Sequence, residues 1–129
     1  MSGEFLPLKL LVPNNGIEFI SMNQTRTMHW SKLHKHQSAW KQATFVALHQ
    51  AQFPHALPPC RIRSQFTFTM NRRRDPHNYF ATLKPIVDQL VTYGCWPDDT
   101  AEYVSLSEPQ LRVGPIPAVS LIFQELTDD

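Results

Sequence analysis

The sequence predicts a single α+β domain: a small mixed sheet of four or five strands with two helices packed on it. Three observations indicate this class. The chain has 129 residues, a typical length for one domain. Apolar residues make up 42% of it, which is enough for one core. Strand-like and helix-like segments follow one another in the order β–α–β–α–β–β, which predicts helices packed against a sheet. We therefore treat residues 1–129 as one domain.

The first half of the chain predicts one strand and one long helix. Residues 5–12, FLPLKLLV, are apolar and end at the turn sequence PNNG, while 17–20 extend this strand or pair locally. Residues 21–30 are polar without a clear period and predict a loop. Residues 31–52 contain no Gly or Pro and predict a helix with Ser31 as its N-cap. The residues that share its packing face at helical spacing are Leu33, Trp40, Ala43, Ala47 and Ala51.

The clearest strand pattern of the chain lies at residues 60–70, CRIRSQFTFTM. Apolar and polar residues alternate there, as expected for a strand with one buried face. The predicted buried side consists of Ile62, Phe66, Phe68 and Met70. The predicted polar side consists of Arg61, Arg63, Gln65, Thr67 and Thr69. This strand leads directly into the most basic stretch of the sequence, NRRRD.

A second helix is predicted at residues 83–93, LKPIVDQLVTY, with Thr82 as its cap and Gly94 as its end. Pro85 is tolerated in the first turn, because the backbone N–H that it lacks would have no intrahelical partner there. Residues 76–82 then form a loop or a separate turn. The last two strands are predicted at 102–113 and 118–126, on either side of the turn GPIP.

The charge of the chain is divided between its two halves. Residues 1–74 hold ten Lys or Arg and two Asp or Glu, a net charge of +8, whereas 75–129 hold two and nine, a net charge of −7. No acidic residue lies between Glu18 and Asp75, although nine Lys or Arg do. Such asymmetry favours a polyanionic partner for the basic half. The alternative is that two solvated surfaces neutralise each other across the fold.

Several classes of protein are excluded or disfavoured. No run of 18 apolar residues exists, so the sequence predicts no membrane span. The apolar N-terminal stretch follows Glu4 and lacks a small-residue cleavage site, so we interpret it as a strand and not as a signal peptide. Cys60 and Cys95 lack metal-ligand spacing and are expected to be free thiols in a reducing cytosol. The histidines of HKH at 34–36 diverge on a helix and do not predict a metal pair.

Two acidic groups bracket the second predicted helix. One is Asp75 with His77, directly after Arg72–Arg74, and the other is the pair Asp98 and Asp99. If they meet, carboxylates and an imidazole beside arginines could hold Mg²⁺ or Mn²⁺ at a phosphodiester, with Lys84 neutralising charge. Taken singly, each part has a simpler interpretation. Asp75 could cap a turn, Asp98 and Asp99 could form another turn, and His77 and the arginines could be ordinary surface.

These residues resemble the RusA-type Holliday junction resolvases, endonucleases common in phages and prophages. The family pattern is a basic run, an Asp-x-Asp-Asn, a lysine, an Asp within a helix and a Gly-x-x-x-Asp-Asp end. The resemblance covers residues 61–113. The matching positions are Arg72, Arg73, Arg74, Asp75, His77, Asn78, Lys84, Asp88, Gly94, Asp98 and Asp99. Two positions depart from the pattern: His77 replaces the second aspartate, and Lys84 lies further from Asn78 than in the family.

The resemblance implies a homodimer that resolves four-way DNA junctions by paired, Mg²⁺- or Mn²⁺-dependent nicks, in the cytoplasm of a bacterium or phage-infected cell. The implied catalytic residues are Asp75, Lys84 and Asp99, and the implied metal ligands are Asp75 and Asp99; we expect His77 and Asp98 to complete the metal site. The expected DNA contacts are Arg72, Arg73, Arg74, Arg61, Arg63, Lys32 and Lys35. Asn78 and Asp88 have secondary roles; Asp88 orients a ligand or pairs with Lys84.

Two alternatives stay open at this stage. The first is a branched-DNA-binding protein of the same fold whose cleavage is weakened or lost, since histidine is a poor ligand for Mg²⁺. The second is a general flap or branched-DNA nuclease.

Overall fold

A computed structural model describes residues 6–126, so the ends of the predicted domain, 1–5 and 127–129, lie outside the described residues. The elements in chain order are β1 (Leu8–Pro13), α1 (Met22–Thr27), α2 (Trp30–Gln50), β2 (Cys60–Phe68), a 3₁₀ helix (Pro76–Tyr79), α3 (Phe80–Tyr93), β3 (Val104–Leu106), β4 (Gln110–Val113) and β5 (Ala118–Glu125). The α+β class with a mixed five-stranded sheet is confirmed. The order differs in detail, because α1 replaces a predicted loop and the strand predicted at 102–113 is divided.

β2 lies in the middle of the sheet. On one side it pairs with β5, which runs antiparallel to it and pairs in turn with β1. On the other side β3 and β4 follow one another along β2, both parallel to it. The break between them contains Pro109, which has no N–H to donate to a sheet. Ser107 still donates to the Ile62 carbonyl at 3.0 Å, so the two pieces form one interrupted edge.

The two long helices point the same way. The Tyr93 hydroxyl, at the end of α3, donates to the Phe53 carbonyl just after α2, and the His49 and Tyr93 rings meet edge to face. Both helices therefore end near Cys60, where β2 begins, and both begin near the other end of β2. Gly94 terminates α3 in the left-handed region, at φ 108°, as its position in the sequence predicted.

The core lies between these helices and one face of the sheet. Trp40, Leu83, Phe66 and Phe123 are fully buried. On α2 the predicted face is largely right: Trp40, Ala43 and Ala47 are buried and Leu33 packs against the core, but Ala51 is exposed. The Trp40 indole donates to the Glu18 carbonyl at 3.0 Å, which satisfies its one polar atom inside the core.

The predicted faces of β2 need two corrections. Met70 is 62% exposed because the strand ends at Phe68, so the alternation no longer applies beyond it. Thr67, predicted on the polar side, is buried at 8% exposure. Arg61 and Arg63 do point away from the core, as predicted.

Both predicted helix caps are also corrected. α2 begins at Trp30, and its cap is His29, whose Nδ1 accepts the Ser31 N–H at 3.2 Å. Thr82 lies inside α3, where its buried hydroxyl donates to the Ile20 carbonyl at 2.8 Å and accepts the Ile20 N–H at 2.6 Å. Thr82 therefore fastens the segment before α1 to α3. Pro85 lies within α3 rather than in its first turn.

Candidate nucleic-acid and metal site

The arginine run lies just past the end of β2, in the irregular segment that leads into the 3₁₀ helix. Arg74 is fixed: its guanidinium carbon lies 3.9 Å from the centroid of the Phe68 ring, and its Nη1 donates to the Met70 carbonyl at 2.9 Å. Arg72 and Arg73 are exposed. Arg74 thus helps to fix the conformation of the segment, whereas the side chains of Arg72 and Arg73 lie in solvent.

Concave surfaces lie on both sides of this run. The larger is a cavity of about 560 Å³, to which Arg72, Arg74 and Tyr79 contribute together with Ser21 and Gln24 of the α1 region. The second, of about 350 Å³, is lined by all three arginines of the run together with Asn71 and Arg112. Arg112 was not among the predicted DNA contacts. The parallel pairing of β4 with β2 sets Arg112 opposite Thr67, near the run, and no local pattern reveals that pairing.

Asp75 caps the 3₁₀ helix. Its Oδ1 accepts the His77 N–H at 3.1 Å and its carbonyl accepts the Asn78 N–H at 3.1 Å. The turn-capping interpretation of Asp75 is therefore correct, and it leaves the exposed carboxylate beside the arginines. His77 Nδ1 lies 4.0 Å from Glu108 Oε1. Sequence reasoning missed Glu108, because only the break between β3 and β4 brings it to this place.

Lys84 and Asp88 form the pair that their spacing predicted, with Lys84 Nζ 3.9 Å from Asp88 Oδ1. The lysine side chain is 70% exposed, so solvent screens the pair and it adds little stability. Lys84 lies in the second turn of α3, at the same end of the helix as Asp75.

Asp98 and Asp99 lie in the turn after α3, where the Asp99 N–H donates to Asp98 Oδ1 at 2.8 Å. This turn is next to the start of β2, because the Cys60 N–H donates to the Tyr103 carbonyl at 2.9 Å. Asp75 follows the other end of β2, and a nine-residue strand spans about 30 Å. The two acidic groups are therefore held at opposite ends of the sheet.

The predicted metal ligands do not fit one ion within a single chain. Between residues 6 and 126, no three His, Cys, Asp or Glu side chains are gathered closely enough to hold a metal ion. That the four residues share a site stays a prediction.

The other predicted DNA contacts fall on two surfaces. Lys32 and Lys35 are exposed in the first two turns of α2, at the end of the sheet that carries the arginine run. Arg61 and Arg63 project from the face of the sheet opposite the helices, in the first half of β2. These seven basic residues do not form one continuous surface.

Charge therefore differs between the two ends of the sheet. We define the arginine end as residues 71–79 with Arg112 and the first turns of α2 and α3, and the acidic end as Asp98, Asp99, Glu102 and Glu125. Glu125 belongs to the acidic end because β5 pairs it with Cys60. The positive poles of α2 and α3 lie at the arginine end and add to its attraction for anions.

At the acidic end, the pKa of Tyr103 is raised. The larger cause is a hydrogen bond to Glu102, and the next is the negative charge of that carboxylate.

The two cysteines are free thiols, as predicted, and both are buried in the core near the acidic end. Burial raises the pKa of Cys60 to about 11 and that of Cys95 to about 12. Both are therefore protonated at neutral pH and poor nucleophiles.

No helix between residues 6 and 126 combines the length and the apolar character that crossing a membrane requires. Comparison of the chain with protein-family models and with curated proteins found no match.

Proposed function

We propose that this protein is a divalent-metal-dependent endonuclease that binds branched DNA, such as a four-way junction, and nicks it. One observation carries the proposal: Arg72–Arg74 lie between two concave surfaces, directly beside the exposed carboxylate of Asp75. Basic residues of this kind hold the phosphate backbone, and a carboxylate among them is the usual means of placing a metal ion at a phosphodiester. The resemblance of the motif to RusA-type resolvases points the same way.

Binding would rest on backbone phosphates. Arg72, Arg73 and Arg112 present guanidinium groups, which bind phosphate oxygens in a bidentate manner. Contacts of this type fix the position of the protein on DNA and carry little sequence information. We therefore propose that the shape of the branched DNA determines recognition.

Cleavage would require two copies of the chain. The arginine end and the acidic end carry opposite charge. In a dimer with a two-fold axis, the arginine end of each copy would therefore lie against the acidic end of its partner. Such a dimer would place Asp75 and His77 of one copy beside Asp98 and Asp99 of the second. It would do so twice, as paired nicks in the two strands of a junction require.

In this dimer Asp75, His77, Asp98 and Asp99 would be the ligands of a divalent cation. When bound, that cation would supply the activation of a water molecule and the stabilisation of negative charge on the phosphate. Lys84 would neutralise charge on the phosphoryl group or the leaving oxygen. A histidine among carboxylates favours Mn²⁺ over Mg²⁺. The DNA substrate and the free thiols fit a cytoplasmic location in a bacterial or phage-infected cell.

A second candidate is a protein that binds branched DNA without cutting it. Two observations favour it: His77 stands where the resembled family has a carboxylate, and a single chain holds Asp75 far from Asp98 and Asp99. In this case the arginine end alone would provide the function.

Incubation of the protein with a labelled four-way junction, with Mg²⁺ and separately with Mn²⁺, distinguishes the two candidates. Paired nicks that disappear in Asp75→Asn and in Asp99→Asn support the endonuclease. Tight binding without nicks under either metal would rule out cleavage and leave the binding protein. Parallel reactions with a fork and a linear duplex decide whether the activity is specific for junctions or is general for branched DNA.

A further inference from the structure

Trp30 is an exposed aromatic ring at the tip of α2. Its exposed fraction is 74%, whereas the other two tryptophans of the chain, Trp40 and Trp96, are exposed by 0% and 3%. A tryptophan left in water forgoes the stabilisation that burial of a large apolar side chain brings. Its exposure is therefore a feature that packing does not explain.

The tip of α2 extends past the core. Trp40 is the first buried residue of the helix, and ten residues of helix separate it from Trp30 by about 15 Å. Leu33 is partly buried, but Ser31, Lys32 and Lys35 are exposed. The first turns of α2 thus present a tryptophan and two lysines on a short projection.

The surroundings of Trp30 are basic. The ring lines a shallow depression of about 470 Å³ together with Lys32, His34 and Lys35. The first turn of α2 contains no acidic residue, and Arg26 lies in the last turn of α1 just before it. An exposed indole among cations combines a stacking surface with phosphate contacts, as single-stranded nucleic-acid sites do.

This projection is part of the arginine end and lies close to the larger of its two cavities. The six-residue helix α1, about 9 Å long, contacts both the 3₁₀ helix and α3, and its N-terminal residues Ser21 and Gln24 line the larger arginine cavity. The chain passes from α1 almost directly into Trp30. One strand of DNA held at the arginines is therefore within reach of the Trp30 ring.

We propose that Trp30 stacks on the exposed face of a base in the bound DNA while Lys32 and Lys35 contact neighbouring phosphates. This proposal rests on the proposed function for the identity of the ligand, and it adds the means by which the protein distinguishes branched DNA from a continuous duplex. In an intact duplex the faces of the bases are covered by their neighbours. At a branch or in a single strand the face of a base is accessible to the protein. Stacking requires only that accessible face and no particular base.

The test uses the fluorescence of the full-length protein, because Trp30 is its one solvent-exposed tryptophan. Titration with oligothymidine and with a four-way junction is expected to quench the exposed part of the emission. A blunt duplex of equal length is expected to bind through phosphates with much less quenching.

Variants then separate stacking from charge. Trp30→Ala is expected to weaken binding of oligothymidine and of the junction by about tenfold or more, since one stacked base contributes roughly 5- to 150-fold. Duplex binding is expected to stay within about twofold. Phe45→Ala removes another exposed aromatic ring of the same helix and is the matched control; it is expected to change neither. Trp30→Phe should recover part of the loss.

The outcomes separate this proposal from the one on which it rests. Unchanged fluorescence at saturation, with Trp30→Ala binding the junction as tightly as the unaltered protein, overturns stacking and leaves branched-DNA binding intact. Equal loss of duplex and oligothymidine binding in Trp30→Ala also overturns it. If neither DNA binds at low salt, the proposed function itself fails and stacking fails with it.

Discussion

The two ends of the sheet differ in charge and in what holds them. At the arginine end, Arg72–Arg74 occupy an irregular segment between two concave surfaces, and only Arg74 is fixed by contacts with Phe68 and Met70. At the acidic end, Asp98 and Asp99 lie in a short turn that follows the buried residues Cys95 and Trp96. The net charge of +1 therefore conceals two regions of opposite charge. In the proposed function, the arginine end binds a polyanion and both ends contact a second copy.

The largest expected effect concerns the proposed cleavage, since the proposed site draws on both ends. Asp75→Asn and Asp99→Asn are each expected to reduce junction nicking by about a hundredfold or more, because each would remove a charged ligand of the proposed metal ion. Asparagine also caps turns well, so the 3₁₀ helix should persist in Asp75→Asn. Nicking rates and junction affinity measured side by side check this. A parallel loss of affinity would show that the carboxylates act in folding or binding instead.

The next effect concerns DNA affinity and should be confined to one surface. The double variant Arg72→Ala/Arg73→Ala is expected to weaken junction binding more than tenfold. It should also lower the slope of log affinity against log salt by about two, about one for each lost phosphate contact.

The matched control for this effect is Arg61→Ala/Arg63→Ala. It removes the same charge from the open face of the sheet and should change affinity by less than about threefold. Equal losses in the two double variants would mean that DNA covers both surfaces.

A smaller effect concerns the free energy of unfolding, to which Thr82 contributes by fastening the segment before α1 to α3. Thr82→Val removes the hydroxyl that bonds both backbone groups of Ile20 and leaves them buried without partners, so the free energy of unfolding should fall by about 1–3 kcal/mol. Thr92→Val is the control, since Thr92 is exposed on the same helix and should cost less than about 0.5 kcal/mol. Denaturant titrations of both variants measure the difference. Equal costs would mean that the bonds to Ile20 contribute no net stability.

The last effect concerns pH at the acidic end. Burial raises the pKa of Cys60 and Cys95 from the ordinary 9.0 to about 11 and about 12. Above pH 9 the unfolded chain releases protons that the folded chain retains, so the free energy of unfolding should fall as pH rises from about 9 to 11. Denaturant titrations at pH 8 and pH 10.5 measure this. A Cys60→Ala/Cys95→Ala variant should show a shallower decline, and an identical decline would assign the effect to other groups.

The fold was predictable from the sequence where one local pattern determines an element. The alternation of Arg61 to Phe68 located the central strand, and Trp40 with Ala43 and Ala47 located the buried face of α2. The strand predicted at 102–113 divides at Pro109, whose missing N–H cannot donate to the sheet. Thr82 suits a helix cap by its chemistry, but tertiary contact decides its place, since its two bonds to Ile20 hold it inside α3.

The candidate site was only partly predictable for the same reason. Local spacing identified Asp75 as a cap and Lys84 with Asp88 as a pair. It gave no sign of Glu108 near His77 or of Arg112 beside the arginine run, because the break between β3 and β4 places the first and the parallel pairing of β4 with β2 places the second. Nor could spacing show that Asp75 follows one end of β2 while Asp99 lies near the other, since that depends on the direction in which α3 returns.

The most direct test of a site shared between two copies is to mix the variants Asp75→Asn and Asp99→Asn, each expected to be inactive alone, and to measure junction nicking. In a mixed dimer whose sites combine Asp75 of one copy with Asp99 of the other, one site loses both carboxylates and the second keeps both. We expect the mixture to regain nicking, at roughly a quarter of the unaltered rate after subunits exchange freely, with single nicks predominating. A mixture as inactive as either variant, under conditions where exchange is demonstrated, would contradict a site shared between two copies.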